Sequence, residues 1–338
     1  MKKTHWLLAT LVSLTLTILT ACSSANSSEV TTANSEGKVT LRIAQTGWSS
    51  HEEALKHAGL DQNLPYTIEY SVFQGGNLIL EAMNAGHVDF GSTSEIPPIF
   101  SSLSANGDAS KIIALYNSNT LLQEIVVPKD SPIKTPADLK GKKVAYVQNT
   151  TAQYFLVKIL EEAGLTWDDI DAQALTTADG LTALLGNNVD ALASYGNSII
   201  SAKENGATTL ASAENILSGN FPLSVHKTVL EDEHKRAALV DFLDRLNKSY
   251  EWQRENIEEW AEIYAKNTKQ PVETALQTLK DGEKQRPSKI IPITDEAIAS
   301  QQDIADTFLS IGIVEKQVDV STIWDRNLDE ELQSLNTQ

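Results

Sequence analysis

Hydroxyl and amide side chains, rather than acids or thiols, gather where this sequence punctuates its apolar runs. Gln45, Thr46 and Trp48 follow VTLRIA, while Ser92, Thr93 and Ser94 follow Val88-Asp89-Phe90-Gly91. Gln148, Asn149, Thr150 and Thr151 follow KKVAYV, and Ser194 and Tyr195 follow Val189-Asp190-Ala191-Leu192-Ala193. Such groups donate hydrogen bonds without exchanging a proton at neutral pH, so they suit holding an anion better than attacking a bond. Free N–H groups at a helix start favour the same charge. Each hydroxyl can equally serve as an ordinary N-cap. Signatures of catalysis are missing. The histidines (5, 51, 57, 87, 226 and 234) show neither HxxxH nor HxH spacing, so no metal is expected. There is no GxSxG, P-loop or GxGxxG, and no cofactor is expected. Cys22 is the single cysteine, which excludes an internal disulfide and thiol catalysis by the folded body. No arginine stands inside a strand-end motif, so an arginine clamp is not expected either.

The elements that must position these donors read as α/β. Ala82 to Phe100 sets the pattern: an apolar helical face ending at Gly86, a short strand at Val88-Asp89-Phe90, a polar turn, and a helix opening with Pro97 and Pro98. In an open α/β sheet the carboxyl end of such a strand is where ligands bind. Further strands are predicted at Val39–Gln45, Tyr66–Phe73, Lys111–Tyr116, Leu121–Val127, Lys143–Val147, Asp171–Leu175 and Phe221–Lys227. Helices alternate with them, beginning at about His51–His57, which implies mostly parallel sheets. LTALLGNNVDALASY (Leu181 to Tyr195) repeats the layout of LEAMNAGHVDFGSTS (Leu80 to Ser94) without a gap, placing Ser194 and Tyr195 where Thr93 and Ser94 stand. Two lobes presenting strand ends to each other would enclose a cleft. Beyond Glu231 the pattern is helical to about Lys266, then again around 271–280 and 294–310. Trp252 and Trp260 lie there and read as packing rather than ligand stacking.

Composition narrows the classes. A body of about 300 residues exceeds one comfortable hydrophobic core, so two lobes are expected. The formal net charge of −18 argues against a nucleic-acid partner. It leaves room for a small anion held by local dipoles. Lys2 and Lys3 precede an apolar run from Trp6 to Ala21, shorter than the roughly 20 residues a membrane span needs. Residues 1–21 therefore read as a signal peptide. Leu19-Thr20-Ala21-Cys22 resembles the lipobox of bacterial lipoproteins, which implies lipidation of Cys22. Residues 22–38, rich in Ser, Thr, Asn and Ala, read as a flexible tether.

Two motifs resemble one known family. Gly91-Ser92-Thr93-Ser94-Glu95-Ile96-Pro97-Pro98-Ile99-Phe100 is similar to the signature of the substrate-binding proteins of aliphatic sulfonate ABC transporters, and SPIKTPADLKGKKVAYV (Ser131 to Val147) is a second match. Weaker matches are Arg286-Pro287 and Val318-Asp319-Val320 with Ile323-Trp324, so the resemblance runs from about 39 to 326. It implies the two-lobed periplasmic-binding-protein fold (type II), with crossovers near Leu121–Lys129 and Ser218–Lys227. Lobe one would comprise 39–124 and 222–338, and lobe two 125–221. The implied protein is a lipid-anchored, extracytoplasmic, monomeric receptor on the bacterial cell membrane. It would close on a sulfonate or related organosulfur anion and deliver it to a permease and its ATPase. The expected ligand set is Gln45, Thr46, Trp48, Ser92, Thr93, Gln148, Thr150, Thr151, Ser194 and Tyr195. Family members often carry an acidic, aromatic pair where this chain has Ser194-Tyr195-Gly196-Asn197. Without that carboxylate a taurine-like ammonium lacks its partner, and an apolar or neutral tail fits better. Taurine or nitrate receptors of the same group, a desulfinase-like enzyme on this scaffold, and an adhesion lipoprotein with a vestigial cleft are the alternatives.

Overall fold

The computed structural model describes residues 37–335. The signal peptide, Cys22 and all but the last two residues of the tether lie outside the described residues.

The chain first lays down β1 (Thr40–Thr46), α1 (Ser50–His57), β2 (Thr67–Phe73), α2 (Gly76–Asn84), β3 (Phe90–Ser92), α3 (Ile96–Ser102) and β4 (Ser110–Asn117). A second run follows: β5 (Gln123–Val127), β6 (Lys143–Tyr146), α4 (Thr151–Glu162), β7 (Asp171–Ala174), α5 (Thr177–Leu185), β8 (Ala191–Tyr195), α6 (Asn197–Glu204) and β9 (Thr208–Ser212). The return brings β10 (Asn220–His226), α7 (Lys227–Glu231), α8 (Glu233–Glu255), α9 (Ile257–Thr268) and α10 (Val272–Gln285). Last come β11 (Lys289–Ile291), α11 (Asp295–Ser310) and α12 (Asp329–Leu335).

Two sheets result, in the orders β2-β1-β3-β10-β4-β11 and β7-β6-β8-β5-β9. Both are mixed, so the expectation of mostly parallel pairing holds only for β1, β2 and β3 and for β6, β7 and β8. The cause is the double crossing between sheets. Gln123 at the start of β5 pairs with Tyr195 at the end of β8, and Asn220 at the start of β10 pairs with Asn117 at the end of β4. Each strand that has just crossed enters its new sheet from the carboxyl edge and so runs antiparallel to its neighbours.

The two crossing segments lie side by side. Ser118 N–H donates to Gly219 O at 3.0 Å, and Thr120 Oγ1 donates to Glu214 O at 3.3 Å. The end of α10 fastens both. Gln285 Oε1 accepts from Thr120 N–H at 2.9 Å, and Arg286 Nη1 reaches the carbonyls of Ser118 and Ser218. Gly219 has φ +74°, and a Cβ there would fall on the Arg286 guanidinium and 2.4 Å from Ser118 O. Only glycine fits at this crossing.

The repeat seen in the sequence is real in the structure. Asp89 N–H donates to Arg42 O at 2.9 Å while its carboxylate accepts Arg42 N–H at 2.9 Å. Asp190 does the same with Lys143, at 2.8 Å in each direction. Asp89 therefore precedes β3 rather than lying within it, which corrects the Val88–Phe90 strand. Its carboxylate is fully buried and also binds the Arg42 guanidinium and Lys235 Nζ. Burial opposes its charge, but the hydrogen bonds from Arg42 and Lys235 outweigh that cost and hold its pKa below the usual value.

Hydrophobic packing follows the topology. Leu239, Phe242, Leu243 and Leu246 form one stripe of α8 and pack with Leu41, Ile43, Phe90 and Leu223 of the first sheet. Val126, Ala145, Leu184, Leu192 and Ile199 fill one face of the second. A larger cluster runs from Ile99 and Leu115 through Phe308 of α11 to Phe155 of α4, so α11 joins elements of both sheets. The single long helix expected to Lys266 is instead α8 and α9, broken at Asn256, whose Nδ2 donates back to Trp252 O at 2.9 Å.

Candidate functional site

The carboxyl ends of β1 and β3 build one wall. Gln45 is buried, and its Oε1 accepts the His51 N–H at 2.6 Å at the start of α1. Swapping the amide would set two donors face to face, so Oε1 is fixed by this bond. Its Nε2 is then a buried donor with no partner. Thr46 is exposed. Trp48 is half-buried, with its ring 5.6 Å from Trp260 and edge-on to Tyr264 at 5.8 Å. Ser92 pairs with Leu223 across the ladder. Thr93 is buried, and its hydroxyl donates to Ser94 O at 2.9 Å. A Cβ on Gly76 would come 3.0 Å from Thr93, so the start of α2 rests directly on this side chain. The α2 N-cap is Gly75, which supplies no side-chain cap. Its first N–H groups are the kind an anion can satisfy.

The ends of β6 and β8 build the other wall. Gln148 is exposed. Thr150 caps α4, accepting from Ala152 N–H at 3.3 Å and donating to Val147 O at 2.7 Å. Thr151 Oγ1 donates to Gln123 Oε1 at 2.5 Å, fastening α4 to β5. Burial pushes the Tyr195 phenol pKa up, partly offset by Thr150. Ser194 is fully buried with its hydroxyl 2.6 Å from that of Ser198, so it faces the lobe interior rather than a ligand. Tyr195 beside it is half-buried and packs against the core cluster that includes Phe155.

Two cavities adjoin these walls. One, of about 420 Å3, lies between α2 and α3 and includes Asn77, Pro97 and Ser101, with Asn149 reaching it from the second wall. The other, of about 340 Å3, begins at Trp48, Ser50 and His51 and runs along Ser118–Leu122 of the first crossing to Gly196. Its far side is Tyr116, Tyr250, Trp260 and Tyr264. Burial pushes the His51 imidazole down to about 4, so it is neutral at physiological pH. Arg254 also lines this cavity, but its Nη1 donates to Ser288 O at 2.6 Å and stands 3.8 Å from Glu283. The aromatic wall went unread in the sequence. Trp260 does pack, as expected, but it also lines the cavity.

Glu95, at the start of α3, is a further group that the sequence reading passed over. It is buried, its Oε2 accepts from Ser218 Oγ at 2.6 Å, and its Oε1 has no hydrogen-bond partner. Desolvation pushes its pKa up to about 7, partly offset by Ser218, Ser300 and Asn220. Among the described residues no group of His, Cys, Asp and Glu could hold a metal ion. No described helix is long and apolar enough to cross a membrane.

The NMT1/THI5-like family profile matches residues 65–259. A protein of Escherichia coli (strain K12) named for binding aliphatic sulfonates is 32% identical over 289 residues, covering 84% of this chain and 88% of the relative. Among solved structures, the periplasmic aliphatic sulphonate binding protein SsuA of Escherichia coli superposes with a TM-score of 0.74 at 29% identity, over 85% of this chain and 92% of its own. The alkanesulfonate-binding protein SsuA of Xanthomonas axonopodis pv. citri, solved bound to MOPS, gives 0.75 at 26% identity, over 85% and 98%.

Proposed function

The chain belongs to the NMT1/THI5-like family and has the periplasmic-binding-protein fold, and on that premise we propose that it is the solute receptor of an ABC importer for an organic sulfonate. The observation that carries this reading is its likeness, along 84% of its length, to a relative named for aliphatic sulfonates. The local chemistry agrees. A sulfonate keeps its charge at every physiological pH and needs donors, not a proton-transfer partner. The unpartnered Gln45 Nε2 and the uncapped start of α2 beside Thr93 offer such donors, and we add the Tyr195 phenol at the end of β8 as a candidate from the other lobe. We assign the lobes to the two sheets, with ligand closure about the paired crossings at 118–122 and 213–219. The receptor is not an enzyme in this reading, because the folded body offers no nucleophilic thiol. It acts outside the cytoplasm as a monomer held to the membrane by lipid on Cys22, and passes its cargo to a permease and ATPase. The strand end Ser194-Tyr195-Gly196-Asn197 supplies no carboxylate, which favours a tail without an ammonium over taurine.

A thermal-shift series on the full chain in mild detergent tests the reading, with ethanesulfonate, taurine, nitrate and sulfate as ligands. A one-site binder is stabilised by about 2.7 kcal/mol at a hundredfold excess over Kd. A rise in Tm with ethanesulfonate and not with nitrate is expected. Stabilisation by nitrate alone, or by nothing, would overturn it.

A further inference from the structure

We propose that the cavity beside Trp48 holds a ring, so that the ligands this receptor takes best are sulfonates with an aromatic or other cyclic tail rather than short alkanesulfonates. The proposal rests on the sulfonate reading of the cleft and adds the class of tail. Five aromatic side chains line the cavity: Trp48, Tyr116, Tyr250, Trp260 and Tyr264. They are held by each other before any ligand arrives. Tyr116 stacks on Tyr250 at 4.8 Å, and Trp48 is braced by Trp260 at 5.6 Å and by Tyr264 edge-on at 5.8 Å. Trp260 is braced in turn from behind by Trp252 at 6.4 Å. Such walls offer flat, polarisable faces at fixed positions, and aromatic pairs gain beyond the area they bury.

Size and charge narrow the guest. A dry cavity of about 150 Å3 already accepts benzene, and this one is about 340 Å3. A methyl or ethyl tail would leave most of it unfilled. An aromatic cage can also attract a cation, yet the acid that would complete such a site is already paired. Glu283 faces Arg254 at 3.8 Å and accepts Ser288 N–H at 3.1 Å. His51, the other titratable group at the near end, is neutral at physiological pH. The tail is therefore uncharged. The head has its place at that near end, where Ser50 and His51 line the cavity. Gln45 lies behind this lining rather than in it: it accepts the His51 N–H, and its buried Nε2 has no partner.

Calorimetric titration of the full chain with ethanesulfonate, benzenesulfonate and phenyltrimethylammonium tests the proposal. A ring buries on the order of 100 Å2 more apolar surface than an ethyl group, which predicts roughly 50- to 100-fold tighter binding of benzenesulfonate. Quenching of tryptophan fluorescence should accompany it. Thr278→Phe, which fills the cavity from α10, should bring the affinity ratio below roughly fivefold. Ethanesulfonate binding as tightly as benzenesulfonate would overturn the ring pocket and leave the receptor reading standing. Phenyltrimethylammonium binding more tightly than benzenesulfonate would overturn it in favour of a cation cage. Binding of none of the sulfonates would remove the receptor reading and this proposal together.

Discussion

Glu95→Gln should make this protein more stable at pH 8 while leaving it nearly unchanged at pH 5. The Glu95 carboxyl is 4% exposed, receives one hydroxyl from Ser218 at 2.6 Å, and leaves Oε1 without a partner. Burial raises its pKa from 4.5 to about 7 in the folded protein. Below about pH 4.5 the group is protonated in both states and costs nothing. Between 4.5 and 7 the folded state retains a proton that the unfolded chain has lost, so stability falls as pH rises and levels off above 7. Each unit is worth 1.36 kcal/mol, so the whole loss is about 3 kcal/mol. Glutamine keeps the shape and an acceptor for Ser218 but cannot ionise. Every other titrating group contributes equally to both proteins and cancels in the difference. Urea denaturation of both proteins at pH 5, 6, 7 and 8 reads that difference directly. It should grow from under about 1 kcal/mol at pH 5 to about 3 kcal/mol in favour of the glutamine variant at pH 8. Parallel pH profiles, or a glutamine variant less stable at pH 8, would refute the reasoning.

Other substitutions probe the remaining supports. Asp89→Asn leaves Arg42 and Lys235 facing a neutral buried group, so it should cost about 3–5 kcal/mol in urea denaturation. A loss under about 1 kcal/mol would mean the pair is not desolvated as described. Gly219→Ala places a Cβ 2.4 Å from Ser118 O at φ +74°, so a loss of at least about 2 kcal/mol is expected in the same assay. Gln45→Met removes the acceptor of His51 N–H and the free Nε2. It should cost about 1 kcal/mol of stability and, by calorimetry, at least roughly tenfold in sulfonate affinity. Unchanged affinity would place the anion elsewhere.

Much of the fold was legible because Gly, Pro and hydroxyl clusters punctuate short apolar runs. The Thr150 cap of α4 falls where its residue type puts it. The Val-Asp echo was legible too, and its cause is now physical: Asp89 and Asp190 each close a two-way bond to a residue of the neighbouring strand 47 positions earlier. Val88-Asp89-Phe90 misled because alternation shows two apolar residues and not the Arg42 that claims the carboxylate between them. The break at Asn256 is hidden because polar residues continue on both sides of it. At the site, residue type places Thr93, Thr150 and Ser194 at strand ends. It cannot show that the Ser194 hydroxyl is committed to Ser198, since that depends on how α6 packs. The aromatic cavity was beyond reach for a similar reason. Trp48 and Tyr116 lie far from Tyr250 and Trp260 in the chain, and only the packing of α8 and α9 against the crossing brings them together.

The most direct test of the central claim is a calorimetric titration of the full chain with ethanesulfonate and with its carboxylate counterpart, propionate. The account predicts saturable one-to-one binding of the sulfonate, independent of pH in the range where sulfonates do not titrate, and much weaker binding of propionate. No saturable heat with the sulfonate, or equal affinity for both anions, would contradict it.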